Sequence, residues 1–240
     1  MNKEILLAEN SKHALQSDNI IAITNRHLCS RPFMEQLERV CKLHPHAIVL
    51  REKDMPEAEY LSLARDVIAL CKKYDVQCML HSFINVAMEL EHPYIHLPLP
   101  ILEAYVKKNV SGNISTDMSK NTDHYQQFFK VIGTSVHSVE DAIKAEQLGA
   151  TYMTAGHIFA TDCKKGLPPR GLDFLKNVCN AVGIPVYAIG GINIASNDNS
   201  TAFDAPSAYD AMPDISVPRL ADVMECGAAG GCIMSGMMRV

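Results

Sequence analysis

Short apolar, β-rich runs alternate with longer helical patterns almost from one end of this 240-residue chain to the other. No other feature limits the fold as tightly. Strands are expected at 19–24, 46–51, 76–81, 94–97, 130–136, 151–157, 185–190 and 231–235. Several are nearly unbroken apolar runs, such as Ala47-Ile48-Val49-Leu50, the pattern of parallel strands covered on both faces.

Helical signals fill the gaps. Phe33, Leu37, Val40 and Cys41 share one helical face, as do Leu61, Ala64, Val67, Ile68 and Cys71. Ser138 followed by Asp141 reads as a capping box opening a helix through Ala142, Ala145 and Leu148, and Gly149 supplies its stop. Leu172, Leu175 and Val178 mark another helix, and Leu220, Val223 and Met224 a further one.

Strand–helix alternation repeated eight times at this length predicts a single-domain (β/α)8 TIM barrel over residues 1–240. An open doubly wound sheet would carry a glycine-rich loop after its first strand, whereas Asn25-Arg26-His27-Leu28-Cys29 follows here. Two irregularities are expected. The polar segment 193–216, rich in Ala, Ser, Asn, Asp and Pro, reads as an insertion after the seventh strand, either a tolerated surface loop or a lid. The last helix is expected to be missing or cut to one turn, because few residues follow the eighth strand.

The composition, 48% hydrophobic and 20% charged, is that of a soluble globular protein. No apolar run approaches the roughly 20 residues of a membrane span, so no membrane partner is expected. A net charge of −5 argues against nucleic acid as a partner but is compatible with a local basic pocket for a small anion. The first twenty residues show no export signal, so the eight cysteines are expected as reduced thiols of a cytoplasmic protein. None forms a C-x-x-C pair, and most read as small core residues. Assembly as a homo-oligomer is compatible with the sequence but not set by it.

Barrel active sites sit at the C-terminal ends of the strands, and the chemistry-bearing residues gather there. Gly190 and Gly191 close the seventh strand, and Ser235 and Gly236 follow the eighth. Two adjacent glycine-bearing ends let backbone N–H groups approach a phosphate, although glycines also end strands for steric reasons. Thr161, Lys164 and Lys165 follow the sixth strand, where the lysines are either solvated or hold a phosphate or carboxylate. Arg51 and Lys53 follow the second strand as ligand contacts, while Glu52 is expected to pair with a neighbour. Ser135 and His137 close the fifth. An imidazole at that rim can take and return a proton, although a lone histidine is more often simply packed or exposed. His81, His96 and His157 also end strands, which raises a metal site. No Asp or Glu closes strands three and four to complete one, so neither metal nor cofactor is expected.

On these motifs the chain resembles the thiamine phosphate synthase/TenI superfamily over essentially its whole length. The carriers are Ile20-Ile21-Ala22-Ile23-Thr24, Leu50-Arg51-Glu52-Lys53-Asp54, Ser135-Val136-His137-Ser138 with Glu140 and Ala142, Ala145-Glu146 with Leu148-Gly149-Ala150, and Ile184-Pro185-Val186 with Ala188-Ile189-Gly190-Gly191. The resemblance implies a (β/α)8 barrel that binds thiazole phosphate and, in the synthases, a pyrimidine pyrophosphate.

Synthases of this superfamily place Asn-Asp after strand three and another Asp after strand four to bind magnesium. His81-Ser82 and Leu97-Pro98-Leu99-Pro100 stand there instead, and Val49 stands where a glutamine is common. Gly156-His157-Ile158-Phe159, Thr161-Asp162-Cys163-Lys164-Lys165-Gly166-Leu167 and Arg170-Gly171 resemble the thiazole tautomerase branch, the TenI proteins. That resemblance implies an isomerase of thiamine biosynthesis that aromatises a carboxythiazole phosphate tautomer without metal, with His137 as the catalytic proton carrier. The alternatives are a diverged thiamine phosphate synthase, which is a transferase, and a non-catalytic regulatory protein that binds thiazole phosphate.

Overall fold

The computed structural model describes residues 19–111, 128–194 and 217–240. Eight parallel strands close into a barrel in chain order: β1 (Ile20–Ile23), β2 (Ala47–Leu50), β3 (Gln77–His81), β4 (Tyr94–Pro98), β5 (Val131–Val136), β6 (Tyr152–Gly156), β7 (Val186–Ile189) and β8 (Gly230–Ile233). The ring shuts where Ile21 of β1 pairs with Cys232 of β8. Each expected strand is present, shifted by two residues at most.

Around the ring lie α1 (Phe33–Lys42), α2 (Glu57–Lys73), α3 (Ile84–Glu89), α4 (Leu99–Ser111), α5 (Val139–Gln147), α6 (Gly171–Ala181) and α7 (Leu220–Glu225). Leu37, Val40 and Cys41 of α1 and Ala64, Val67 and Cys71 of α2 are buried against the strands, the faces read from the sequence. Ser138 caps α5 by accepting from the Asp141 N–H at 3.0 Å, and Gly149 ends that turn with φ at 87°. In α7 the expected face is narrower: Leu220 and Val223 are buried while Met224 is exposed. The short α3 and the helix α4 are not among the helices expected from the sequence, although Val86 and Ala87 of α3 and Leu99 and Leu102 of α4 are buried in the core.

Side chains alternate between two cores, as parallel barrel strands require. Those pointing outward pack under the helices, and those pointing inward (Ile21, Ile23, Ala47, Val49, Met79, Tyr152, Tyr187 and Cys232) fill the barrel interior. On β2 to β6 the inward positions one step further along are polar (Arg51, His81, His96, Ser135 and Thr154) and form the floor of the mouth, whereas β7 and β8 carry Ile189 and Met234 there. Tyr60 of α2 pins the rim from outside. Its hydroxyl donates to the Leu50 carbonyl at 2.7 Å and accepts from the His81 N–H at 3.0 Å, which ties the ends of β2 and β3 together.

After β8 the chain makes a turn rather than a helix, burying Met237 and Met238. Arg31 and Gln36 of the α1 region donate to the Val240 carbonyl and hold this turn in place. Of the expected insertion, 195–216 lies outside the described residues. The cysteines of the described chain are free thiols, and Cys41, Cys71, Cys78 and Cys232 are buried. No helix among the described residues is long and apolar enough to cross a membrane.

Candidate functional site

The C-terminal mouth of the barrel divides into a charged side at β1–β2, which Lys164 of the β6–α6 loop joins, and a layer of neutral hydrogen-bonded side chains on β3–β6. On the charged side, Thr24 follows β1, and its buried hydroxyl accepts from the Arg51 N–H at 2.8 Å while donating to Glu52 Oε1 at 2.6 Å. Glu52, 2% exposed, also accepts from the Arg26 N–H and guanidinium, the latter at 3.0 Å. Arg26 then grips Asp54 with both terminal nitrogens at 2.8 and 2.7 Å, and His27 meets the same carboxylate at 2.9 Å. The two hydrogen-bonded carboxylates raise the Arg26 pKa, and Arg26 with His27 holds Asp54 well below the usual carboxylate range. Glu52 thus pairs with a neighbour as expected.

The consequence is selective. Glu52 and Asp54 spend their charge on Arg26 and His27, so Arg51 and Lys53 between them have no ion-pair partner among the described residues. Desolvation, then the charges of Arg51 and Lys164, push the Lys53 ammonium down. Three cations from the ends of β2 and β6 therefore share one part of the mouth, an arrangement that favours an anion. Lys165 stands exposed beside Lys164, and Thr161 precedes them before the short turn Asp162–Lys164.

The neutral side is built on imidazoles. His81 and His96, 5% and 4% exposed, stack with ring centres 5.6 Å apart. Burial pushes the His81 pKa down to about 2, helped by His96, Arg51 and Lys53. Burial, then Arg51 and Lys53, pushes His96 down to about 3. Both rings are neutral at physiological pH. Ser82 Oγ lies 2.8 Å from His81 Nδ1. His96 bridges the Tyr152 hydroxyl and Ser135 Oγ, each at 2.9 Å, and Thr154 donates to Ser135 at 3.0 Å.

His137 lies beyond this layer and is exposed. Its Nδ1 donates to the Gly156 carbonyl at 2.8 Å, which leaves Nε2 available to a ligand. With His157, Lys164 and Arg170 it lines an open cavity of about 350 Å³ against the β6–α6 loop. Gly190 and Gly191 have positive φ, and a Cβ on either would strike that loop, at His157 Cβ (2.4 Å) and the Ala160 carbonyl (2.6 Å). Glycine at both positions is therefore required by packing as well as suited to an anion. Ser235 Oγ contacts Asn193 at 3.4 Å, and Gly236 lies against Ile194 in the same corner.

A divalent cation fits this set poorly. Magnesium takes oxygen ligands, above all carboxylates. The strand ends that would supply them carry the buried His81, already bonded to Ser82, and the core residue Leu97 followed by prolines. The carboxylates at the neighbouring end of β2, Glu52 and Asp54, are held by Arg26, Thr24 and His27. No group of three or more His, Cys, Asp or Glu among the described residues is arranged to hold a metal ion. Sequence reasoning named the rim cations and His137, and the structure places them at the mouth. It missed Thr24, Arg26, Tyr152 and Thr154, whose only signal is the inward parity of the strand residues and the polar step next to Arg51.

Comparison with known proteins separates the family from the branch. A relative in Aquifex aeolicus, named "Putative thiamine-phosphate synthase 2", is 34% identical over 178 residues, 74% of this chain and 87% of its own. The thiamine-phosphate synthase of Caldanaerobacter subterraneus is 30% identical over 175 residues, 72% of this chain and 75% of its own. Among solved structures, the thiamine phosphate pyrophosphorylase of Pyrococcus furiosus shares the fold with a TM-score of 0.64 at 24% identity, over 94% of this chain and 89% of that one. These relatives carry synthase names, which overturns the expected isomerase. The tautomerase reading leaned on the missing magnesium carboxylates and on the resemblance of the stretch from Gly156 to Gly171 to that branch. A family model described as thiamine monophosphate synthase matches residues 20–237, and the chain belongs to that family, the thiamine monophosphate synthase/TenI superfamily.

Proposed function

We propose that this chain is a thiamine-phosphate synthase-type transferase, joining hydroxymethylpyrimidine pyrophosphate to thiazole phosphate. The observation that carries this reading is the synthase identity of relatives aligned along most of the barrel. The site chemistry agrees with it. In the reaction the bond between the pyrimidine methylene carbon and the pyrophosphate oxygen breaks, and both electrons leave with pyrophosphate. The thiazole nitrogen lone pair then forms the new C–N bond, and no proton changes hands.

In this reading Arg51, Lys53 and Lys164 surround the pyrophosphate and stabilise the charge it gains on departure, with Ser135 adding a neutral contact. Gly190, Gly191, Ser235 and Gly236 hold the thiazole phosphate through backbone N–H groups and the serine hydroxyl. Thr161 and Lys165 flank the pyrophosphate position. His137 orients substrate through Nε2 rather than moving a proton. Because the carboxylates for magnesium are absent from their strand ends, charge neutralisation is assigned to these side chains alone.

The test is direct. Purified protein is incubated with both substrates, once with EDTA and once with excess magnesium, and thiamine phosphate and pyrophosphate are measured. Both products at similar rates in the two conditions are expected. Absence of thiamine phosphate in both would overturn the synthase reading, and formation only with magnesium would overturn the assignment of charge neutralisation to protein cations.

A further inference from the structure

Tyr152, His96 and Thr154 are buried, polar and unused by the chemistry above. Each lies in one hydrogen-bonded chain that ends at Ser135. Tyr152 reaches it across β5 because Gly133 carries no side chain; a Cβ there would lie 2.1 Å from the tyrosine ring.

The direction of every bond in this chain follows from the burial of its ends. The Tyr152 hydroxyl has one partner among the described residues, His96 Nδ1 at 2.9 Å, and burial holds its pKa well above the ordinary value, so it keeps its proton. If it accepted from His96, its own O–H would be left buried without an acceptor, which costs about 1–3 kcal/mol. It therefore donates, and His96 Nδ1 accepts. The neutral ring then carries its proton on Nε2 and donates to Ser135 Oγ at 2.9 Å. Thr154, 1% exposed, has Ser135 Oγ as its single partner among the described residues and donates to it for the same reason. Ser135 accepts twice, and its own proton has no acceptor within the described chain. Its half-buried hydroxyl lies on the inward face of β5, at the mouth.

We propose that Tyr152 and His96 are positioning residues that fix the His96 tautomer and turn the Ser135 hydroxyl into an obligate donor to an oxygen of the pyrophosphate. The inference rests on the proposed function for the identity of the anion and on hydrogen-bond geometry for the rest. Arg51 and Lys53 lie close enough for their charges to act on His96, so Ser135, which is bonded to His96, faces the same cationic part of the mouth. A chain of bonds pointing one way strengthens its last donor. In place of a metal ion, this side of the mouth offers a neutral donor whose direction the fold has already set.

The binding of inorganic pyrophosphate, followed by calorimetry in EDTA, tests the proposal without turnover. Ser135→Ala should weaken binding about 5- to 10-fold, the loss of one hydrogen bond. Tyr152→Phe should weaken it about 3-fold in the native background and not at all in the Ser135→Ala background. Equal losses in both backgrounds, or native affinity for Tyr152→Phe, would overturn the proposal. Nitrogen chemical shifts of the histidines in the unsubstituted protein provide a second measurement that needs no variant. A proton on His96 Nε2 is expected, and a proton on Nδ1 would sink the idea. A chain that makes no thiamine phosphate yet shows this coupling would lose the proposed function and keep the relay.

Discussion

The two halves of the mouth solve the same problem with opposite means. At β1–β2 the rim is held by charge: Arg26 spans Glu52 and Asp54, and Thr24 ties the pair to the Arg51 backbone. At β3–β6 it is held by neutral hydrogen bonds among His96, Tyr152, Ser135 and Thr154. The charged half runs from the buried Glu52 out to the surface, where Arg26 and Asp54 side chains are 27% and 56% exposed and water supports ionised groups. The neutral half is buried, and there an ionised imidazole would cost more than its bonds return. Each half thereby delivers a different ligand contact, free cations from one and a directed hydroxyl from the other.

Breaking the charged half at its buried end should produce the largest effect. Glu52→Gln keeps the shape but turns an amide N–H₂ toward the Arg26 guanidinium and backbone N–H, setting donors against donors. Removing the charge partner from such a site costs about 3 kcal/mol. For a domain of this size that lowers the melting temperature by about 6–12 °C. Asp54→Asn, on the exposed end of the same network, should leave the melting temperature nearly unchanged. Equal shifts for the two variants would mean that burial does not decide which carboxylate matters.

The neutral half should show itself in acid. Burial holds the folded-state pKa values of His81 and His96 at about 2 and about 3, below the usual 6.5. Between those values and 6.5 the unfolded chain binds protons that the folded chain refuses. The stability from burying neutral rings is therefore complete above about pH 6.5 and lost as pH falls below it. Each imidazole contributes a decline of about 1.4 kcal/mol per pH unit. The interval from pH 6.5 to 5 reports on the buried imidazoles, including His92, which burial also lowers, because the depressed carboxylates Glu38 and Asp54 titrate lower. Denaturation across that interval should show His81→Asn with a slope smaller by one proton, and an unchanged slope would mean that His81 already ionises in the folded state.

The same contrast explains what could be read from the sequence. The barrel was legible because strand periodicity and apolar faces are local signals, and the Ser138 cap and the Gly149 stop lie within one turn of chain. Arg51, Lys53 and Lys164 were legible because cations at strand ends are conspicuous. The neutral network was not. Tyr152 and His96 are 56 positions apart, and nothing local says that a glycine at 133 clears the space between them. The branch was misjudged for a related reason. Missing carboxylates at two strand ends are visible in a sequence, whereas the closed Arg26–Glu52–Asp54 network that leaves neighbouring cations unpaired is visible only in three dimensions.

The smallest effect is expected at His137, the histidine most prominent in the sequence. Unlike His96 it is exposed and makes one side-chain bond, from Nδ1 to the Gly156 carbonyl at 2.8 Å. The proposed reaction breaks a C–O bond and forms a C–N bond without proton transfer, so this imidazole can offer a substrate no more than a hydrogen bond through Nε2. One neutral hydrogen bond is worth about 0.5–1.5 kcal/mol, or roughly 2- to 12-fold. General acid–base catalysis would be worth about 100- to 10,000-fold. His137→Gln, which keeps a hydrogen-bonding group of similar reach, should therefore raise KM by less than about 10-fold and leave kcat nearly unchanged. A fall in kcat of about 100-fold or more at unchanged KM would show that a proton passes through His137 in the rate-limiting step. The reaction would then include a step that the joining of the two rings does not contain.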